Sequence, residues 1–372
     1  MKSQQPRRPA DSGQMRDIGG RQTGGPEANG ETRRPRAGDI ARAAGVSTAT
    51  VDRVLNRRLG VRTATAQRVV EAAAALDYLP RAALYEALRP KPMRLSFLLP
   101  SGTNRYLRML GEHISSSDDQ LVAFNVACRS YFVEGFNPEA LAKSLRHHAR
   151  RADGVAFMAL DHPLVRDAVA EITGRGIPVL TLISDISGAQ RTAYVGLDNR
   201  AAGRTAGLLI GRFVGERRGK IALIAGSRSY RAHEEREMGF LDIIEEAFPS
   251  LTVVGLREGH DEATQNYRQT RALLAQHPDI IGIYNIGGGS DGIARALRAA
   301  NRGASVAFIG HGLTPDTRAA LIDGTMDVAM TQDHQIMLLN CVRIFTNLRA
   351  GRAAMAGIEP MQISLFVREN LS

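Results

Sequence analysis

Apolar side chains recur at helical spacing between residues 39 and 78, a segment that is rich in Ala and contains no Pro. Residues 39–44 suit a short helix with Asp39 as its N-cap, and Gly45 suits its end. Ser47 is a natural N-cap for a second helix that runs to residue 55. A third helix is predicted over residues 63–76. Three short helices with a tight turn between the first two predict a helix-turn-helix unit.

From residue 93 onward, short apolar runs alternate with segments of helix length. Runs that are apolar throughout are typical of parallel strands whose two faces are both covered. The predicted strands are 95–99, 121–124, 154–158, 177–182, 220–224, 251–254, 280–284, 305–309 and 326–330, with a crossing segment at 193–195. The fold class predicted is a small all-α helix-turn-helix domain followed by a two-lobed α/β domain made of doubly wound parallel sheets.

Shifts in composition set the predicted domain boundaries. Residues 1–36 carry too few sizeable apolar side chains to offset the entropy of ordering, so a disordered basic arm is expected there. A short Ala- and Leu-rich stretch follows Pro80, and Pro92 marks the next boundary. The predicted domains are therefore the arm at 1–36, the helix-turn-helix domain at 37–79, a hinge helix and linker at 80–92, and the two-lobed domain at 93–372.

The net charge of +10 is concentrated in the first quarter of the chain. Residues 1–92 contain 17 Lys and Arg against 9 Asp and Glu, whereas residues 93–372 contain 31 against 29. This distribution indicates a small basic module attached to a nearly neutral body, rather than a uniformly basic surface or a membrane-coating tail.

The two cysteines and the hydropathy of the chain disfavour a disulfide-stabilised protein, a metal protein and a membrane protein. Cys128 and Cys341 have no partner at metal-ligand or CxxC spacing, so neither a disulfide framework nor a metal site is predicted. The N-terminus has no apolar signal region, and no run approaches the roughly 20 apolar residues needed to cross a bilayer. A soluble, cytoplasmic protein without membrane partners is expected.

The segment DIARAAGVSTATVDRVLN at residues 39–56, followed by Gly60-Val61-Arg62 and by LDYLP at 76–80, resembles the DNA-binding segment of the LacI (lactose repressor) family of bacterial transcription regulators. The alternating pattern beyond it is similar to that family's sugar-binding-protein-like core, so the resemblance covers everything after the arm. It implies an allosteric repressor that binds double-stranded operator DNA as a homodimer. Residues 93–372 would then serve effector binding and dimerisation.

By this resemblance, the second helix of the motif presents its N-terminal part to base edges in the major groove. Arg53 can contact guanine through both of its terminal nitrogens, whereas Ala49 offers only a methyl contact. In the hinge, Leu88 is the candidate side chain to enter the minor groove. The residues implied in DNA binding are Ser47, Thr48, Ala49, Thr50, Arg53, Asn56, Arg81 and Leu88.

Polar side chains follow several predicted strands, which is where doubly wound sheets bind ligands. Hydroxyl-rich ligands need carboxylates and amides as paired donors and acceptors, together with an aromatic face. By likeness to the sugar-binding core, the expected ligand-binding residues are Asn104, Tyr106, Ser184, Asp185, Glu234, Asn285, His311 and Gln332. Glu234 stands where the family often has an arginine, and His311 where it often has an aspartate. Arg236 is expected to have a structural role or to support the ligand-contacting residues without touching the ligand. The effector is expected to be a sugar, a polyol or a sugar acid.

Residues 287–292 match GxGxxG between a strand and a helix, a pattern found in nicotinamide-dependent dehydrogenases. A dehydrogenase would need an acidic residue about 20 positions further on, where this chain has His311. The glycines are therefore expected to let backbone amides approach a neutral ligand, and neither a cofactor nor an enzymatic activity is predicted. A solute-binding module for transport is the other alternative, which a secretory signal would favour and the helix-turn-helix disfavours.

Overall fold

The computed structural model describes residues 35–56, 58, 60–78, 91–188 and 190–371. The chain divides into two compact units, residues 1–90 and 91–372. All but the last two residues of the predicted arm, together with the hinge residues Arg81 and Leu88, lie outside the described residues. Within the part that the structure describes, no helix is long and apolar enough to cross a membrane.

The first unit contains the three predicted helices, which are α1 (Ala37–Ala44), α2 (Thr48–Leu55) and α3 (Thr63–Ala75). Gly45 adopts φ +66°, a left-handed conformation that ends α1, and the Ser47 hydroxyl caps α2 by accepting from the Thr50 amide at 3.2 Å. The prediction that Asp39 is the N-cap of α1 is wrong. The helix begins two residues earlier, and the Asp39 carboxylate instead accepts from the Arg36 amide at 2.8 Å.

One shared apolar core holds these helices together. Its buried members are Ile40, Ala41, Ala44, Val51, Val54, Val69, Val70 and Ala73. All eight are Ala, Val or Ile, and these compact side chains let the three helices pack closely around a small core.

The second unit begins with a five-stranded parallel sheet, which forms lobe 1. Its strands are β1 (Met93–Pro100), β2 (Val126–Val133), β3 (Gly154–Met158), β4 (Val179–Leu182) and β5 (Ala193–Val195), in the order β2-β1-β3-β4-β5. The helices between them are α4 (Arg105–Ser116), α5 (Pro138–Ala149) and α6 (Pro163–Gly174), and a 3₁₀ helix spans Asp119–Phe124.

Lobe 2 contains a six-stranded sheet in the order β11-β10-β9-β8-β6-β7. Its strands are β6 (Gly219–Ala225), β7 (Leu251–Glu258), β8 (Ile280–Asn285), β9 (Ala307–His311), β10 (Val328–Thr331) and β11 (Ser364–Phe366), of which only β11 runs antiparallel to its neighbour. Its helices are α7 (Asn199–Val214), α8 (Arg231–Ala247), α9 (Ala263–Gln276), α10 (Ser290–Ala299) and α11 (Pro315–Ile322). The two-lobed, doubly wound architecture predicted from the sequence is thus confirmed.

The chain crosses between the lobes three times. It leaves lobe 1 after β5 and returns after β10, because α12 (His334–Arg349) packs into the core of lobe 1 through residues such as Cys341 and Phe345. It then crosses again to place β11 at the edge of lobe 2. Three connections keep the two lobes together while leaving a cleft between their facing edges.

Two edge strands differ from their predictions. The run at 121–124 is a 3₁₀ helix ended by Asn125 at φ +50°, and β2 lies just beyond it. Strand β7 runs to Glu258, four residues past its predicted end. Both strands lie at the edge of a sheet and have exposed positions, so neither is apolar throughout. The crossing segment at 193–195 is the fifth strand of lobe 1.

Helices α7 and α8 approach each other closely through glycines. A Cβ on Gly203 would overlap the backbone carbonyl oxygen of Arg236, and a Cβ on Gly239 would overlap that of Arg200. Glycine is therefore required at both positions if the helices are to keep this separation, which also sets where the Arg236 side chain begins.

We expect Gly203→Ala to lower the free energy of unfolding by about 1–3 kcal/mol, because the added methyl group must push α7 and α8 apart. Chemical denaturation measures the loss. Gly174→Ala is the matched control, since a Cβ there meets nothing within 4 Å. Equal stabilities of the two variants would contradict this account of the packing.

Candidate functional site

The second helix of the first unit presents one polar face to solvent. Thr48, Ala49 and Arg53 are exposed, whereas Val51 and Val54 on the opposite face are buried in the helical core. The Arg53 guanidinium has no ion-pair partner among the described residues. This face therefore offers short side chains at the start of α2 and, in its last turn, a cation without an ion-pair partner among the described residues.

Neighbouring polar groups are already engaged within the unit. The Asn56 amide donates to Asp52 at 2.6 Å, and Arg58 pairs with the same carboxylate at 3.0 Å. The Ser47 and Thr50 hydroxyls lie 2.9 Å apart at the start of α2. In this structure, these side chains hold the turn and the end of the helix.

In the second unit, the carboxyl ends of the strands of both lobes face one cleft. The strand order reverses between β1 and β3 in lobe 1, and between β6 and β8 in lobe 2, and ligands of doubly wound sheets bind at such reversals. A cavity of about 50 Å³ lies in the cleft. Its polar lining consists of Asn104, Tyr106, His233, Arg236, Asp261, Thr331, His311 and Gln332, and its larger apolar residues are Leu107, Met158, Ile183, Leu197 and Met330.

Asp261 joins the two lobes. Its carboxylate accepts from the Asn104 side-chain amide of lobe 1 at 2.9 Å and from the Gly288 backbone amide of lobe 2 at 2.6 Å. Its backbone carbonyl accepts from the Thr103 hydroxyl at 3.0 Å. Asp261 and the preceding His260 both have positive φ values, 60° and 50°, a conformation uncommon outside glycine that is found at functional sites.

Arg236 is the one cation in the cavity lining, and only 5% of its surface is exposed. Its Nε donates to Asn199 Oδ1 and one terminal nitrogen donates to the Ile286 carbonyl, both at 2.8 Å. None of the ion pairs among the described residues includes Arg236. The guanidinium is thus positioned by neutral groups, and burial lowers its pKa from the usual value.

Of the two imidazoles of the cavity, His233 is buried and His311 is half-buried, and both are uncharged at neutral pH. Burial lowers the pKa of His233 to about 4 and holds the pKa of His311 well below its ordinary value. His311 Nε2 lies 2.8 Å from the Tyr284 hydroxyl. These rings therefore supply hydrogen-bonding groups without adding positive charge.

Four of the eight predicted ligand-binding residues line the cavity: Asn104, Tyr106, His311 and Gln332. The Tyr106 hydroxyl donates to the Gln332 backbone carbonyl at 3.1 Å. Gln332 Oε1 is buried and has no hydrogen-bond partner among the described residues. An unpaired buried acceptor in a cavity is a group that a ligand can satisfy.

The other four predicted residues lie elsewhere. Asp185 is paired with Arg191 and accepts from the Thr181 hydroxyl, and Ser184 accepts from the Ala232 amide across the lobe interface at 3.3 Å. Glu234 is exposed to solvent, and Asn285 braces the glycine loop through Ser290 at 2.8 Å. None of the four lines the cavity, and only Ser184, Asp185 and Asn285 form contacts within the structure around it.

Sequence reasoning missed Asp261 and gave Arg236 a supporting role. Asp261 follows β7, whose end was predicted too early, so it was not recognised as a residue at a strand end. An arginine does line the cavity: it is Arg236, two positions beyond Glu234, on the buried face of α8. Helical periodicity could have identified it, because buried Ala232, Arg236 and Phe240 recur every four residues.

The glycine loop at 287–289 receives a carboxylate of the protein itself. The Gly288 amide donates to Asp261, and a Cβ on Gly287 would crowd the same carboxylate. A Cβ on Gly292 would overlap the Ala263 carbonyl oxygen of α9. The glycines thus permit close packing around Asp261, not the predicted approach of amides to a ligand. This arrangement also differs from a phosphate-binding loop, whose amides face the ligand.

We expect Asp261→Asn to lower the free energy of unfolding by about 1–3 kcal/mol, because an amide NH₂ must then face either Asn104 or the Gly288 amide. A double-mutant cycle with Asn104→Ala should give a coupling energy of roughly 0.5–3 kcal/mol. Asp242→Asn, which removes a surface ion pair with Arg200, is the control and should cost less. Additive effects of the two cleft variants would refute the contact between the lobes.

The buried neutral His233 predicts a pH dependence. Its pKa is about 4 in the folded protein and near 6.5 when exposed, so the unfolded chain binds the extra proton between these values. His233 therefore makes the free energy of unfolding fall as the pH drops from 6.5 to 4. His233→Asn should flatten this part of the profile, measured by urea denaturation at several pH values. An unchanged slope would exclude this role.

Comparison with known proteins agrees with both units. The family model described as "Periplasmic binding protein domain" matches residues 129–353, and the model described as "Bacterial regulatory proteins, lacI family" matches residues 38–81. Catabolite control protein A of Streptococcus mutans is 24% identical over 306 residues, which cover 81% of this chain and 80% of that protein. The ribose operon repressor of Halalkalibacterium halodurans is 26% identical, covering 71% and 74%.

Among solved structures, GanP, a glucose-galactose binding protein from Geobacillus stearothermophilus, superposes with a TM-score of 0.67 at 22% identity. The match covers 75% of this chain and 99% of GanP, so it supports the two-lobed fold. The chain therefore belongs to the periplasmic binding protein domain family, and its first unit is the DNA-binding domain of the lacI family of bacterial regulatory proteins.

Proposed function

We propose that this protein is a transcriptional repressor whose affinity for operator DNA is controlled by a small polar effector, a sugar or sugar derivative, bound between lobes 1 and 2. The observation that carries the proposal is the exposed face of α2, with Arg53 unpaired, in the same chain as a cleft that contains an unpaired buried acceptor. The repressors among its relatives support the same assignment.

Reading of DNA is assigned to α2. The Ser47 cap fixes the start of this helix, so Thr48 and Ala49 lie at its exposed end and Arg53 lies one turn further on. Arginine can donate two parallel hydrogen bonds to guanine, and the short side chains let the helix approach the floor of the groove. Ser47, Thr50 and Asn56 would position the helix at phosphates, after exchanging their internal hydrogen bonds.

Control by an effector requires that the effector bind one state of the cleft better than another. The hydrogen bonds of Asp261 join the lobes directly, so opening the cleft must break them. An effector that replaces or reinforces these bonds would shift the balance between the two states. The lobe arrangement, and with it the operator affinity, would then depend on effector concentration.

We further propose that the protein acts as a homodimer in the cytoplasm. Repressors with helix-turn-helix units bind half-sites about one helical turn apart, and two copies related by a two-fold axis match such operators. A dehydrogenase is disfavoured, because the amide of the glycine loop that would meet a pyrophosphate is occupied by Asp261. A transport role is disfavoured by the DNA-binding unit.

We expect Arg53→Ala to weaken operator binding by about 1–3 kcal/mol and to relax the preference at one base pair, because its contact to a base edge is lost. Fluorescence anisotropy on an operator selected from random duplexes measures both effects. Arg68→Ala, which removes an exposed arginine of α3, is the control for charge. Unchanged affinity and unchanged base preference for Arg53→Ala would contradict the proposed interface.

A further inference from the structure

The cavity in the cleft contains a positive charge that no carboxylate neutralises at close range. Arg236 keeps its proton at any physiological pH, and its hydrogen bonds to Asn199 and Ile286 go to neutral oxygens. Removal of a cation from water costs free energy unless a counter-charge is close, so an unpaired buried guanidinium favours an anion beside it.

The groups around Arg236 do not provide that anion. Tyr106, Tyr194 and Tyr284 surround it, and burial raises the pKa of each phenol, so all three hydroxyls stay protonated. The nearby imidazoles of His233 and His311 are neutral. The surroundings of the guanidinium are therefore polar but without a negative charge in contact.

The nearest candidate carboxylates are committed elsewhere. Among the described residues, Asp261 is the one carboxylate that lines the cavity. Its charge opposes the lowering of the Arg236 pKa by burial, but no ion pair within 4 Å joins the two side chains. The two Asp261 oxygens already accept from Asn104 and Gly288. Asp185 is paired with Arg191, and Glu234 points to solvent.

A second lining residue, Gln332, lacks a hydrogen-bond donor. Gln332 Oε1 is buried and unpartnered, and an acceptor of this kind loses free energy until a hydroxyl or an N–H reaches it. Apolar side chains such as Met158 and Leu197 complete the lining, so it can also contact the C–H groups of a carbon chain. A single ligand that satisfies these groups has an anionic end and hydroxyl donors.

We propose that the effector is a small polyhydroxy carboxylate, a sugar acid, whose carboxylate pairs with Arg236 while a hydroxyl donates to Gln332 Oε1. This inference rests on the proposed function, because it assigns the chemical class of the effector to the same cleft. The planar guanidinium suits a carboxylate, since two parallel hydrogen bonds can form between them.

The test uses the full-length protein and matched pairs of probes. D-gluconate, D-galactonate, D-glucuronate and D-galacturonate are compared with D-glucitol, D-galactitol, D-glucose and D-galactose, at equal concentration and ionic strength. The midpoint temperature of thermal unfolding should rise with at least one carboxylate and rise less with its neutral counterpart, because a ligand that binds the folded state stabilises that state. Equal or larger shifts with the neutral compounds, or no shift with any carboxylate, would overturn the proposal.

Variants at the arginine then test the charge. Arg236→Gln should raise the dissociation constant of the carboxylate that stabilised the natural protein by about tenfold or more, since it removes a charge-assisted hydrogen-bonded pair. Arg231→Gln, on the same helix but outside the cavity lining, is the control and should bind as the natural protein does. If Arg236→Gln does not fold, Arg236→Lys keeps the charge and should still prefer the carboxylate over its neutral counterpart. Loss of that preference in Arg236→Lys, or unchanged affinity in a folded Arg236→Gln, would refute the assignment.

Operator binding separates this inference from the function on which it rests. A carboxylate that binds through Arg236 without changing operator affinity would overturn control by this effector while leaving the ligand class intact. A neutral sugar that changes operator affinity, when no carboxylate does, would overturn the ligand class while leaving the repressor assignment intact.

Discussion

The carboxylate of Asp261 is the constraint on which the cleft depends. It accepts hydrogen bonds from Asn104 of one lobe and from Gly288 of the other, and the glycines of the 287–289 loop leave room for it. A buried carboxylate is stable only when several donors satisfy it. Separation of the lobes would remove one donor and expose another polar group, so the closed arrangement is favoured as a unit.

Arg236 is positioned by a different set of contacts in the same region. Glycines bring α7 and α8 together, and Asn199 at the start of α7 accepts from the guanidinium. The packing of α7 against α8 thus determines the position of the Arg236 guanidinium. Under the proposal above, a cation held by neutral groups would make the cleft select its ligand by charge as well as by shape.

Local signals in the sequence predicted the DNA-binding unit and most of the strands. Gly45 and Ser47 act through their own backbone conformation and capping, which depend on few neighbours. Central strands were equally clear, because burial on both faces requires continuous apolar runs. The edge strands β2 and β7 were misplaced because solvent reaches some of their side chains, so polar residues interrupt the run.

The differences between the expected and the observed positions of site residues have the same cause, together with ion pairing between side chains. Because β7 was predicted to end at residue 254, Asp261 was seven residues from the predicted strand end and was not considered as a site residue. The strand actually ends at Glu258, three residues before it. Asp185 was expected in the cleft, but its carboxylate forms an ion pair with Arg191. The sequence contains no pattern that predicts this pair. Asn104, which follows β1, and His311, which is the last residue of β9, were expected in the site and do line the cavity. The site is therefore predictable only as far as the strand ends are.

The coupling between the two units is the central claim, and hydrogen exchange tests it without knowledge of the effector. If cleft and operator are linked, operator binding must change the equilibrium of the cleft, because coupling free energies are reciprocal. Exchange is measured on the full chain with and without its selected operator, over the peptides that contain Gly288 and Asp261. The account predicts altered protection in these peptides when the operator is bound. Identical protection in both states, at saturating operator, would contradict it.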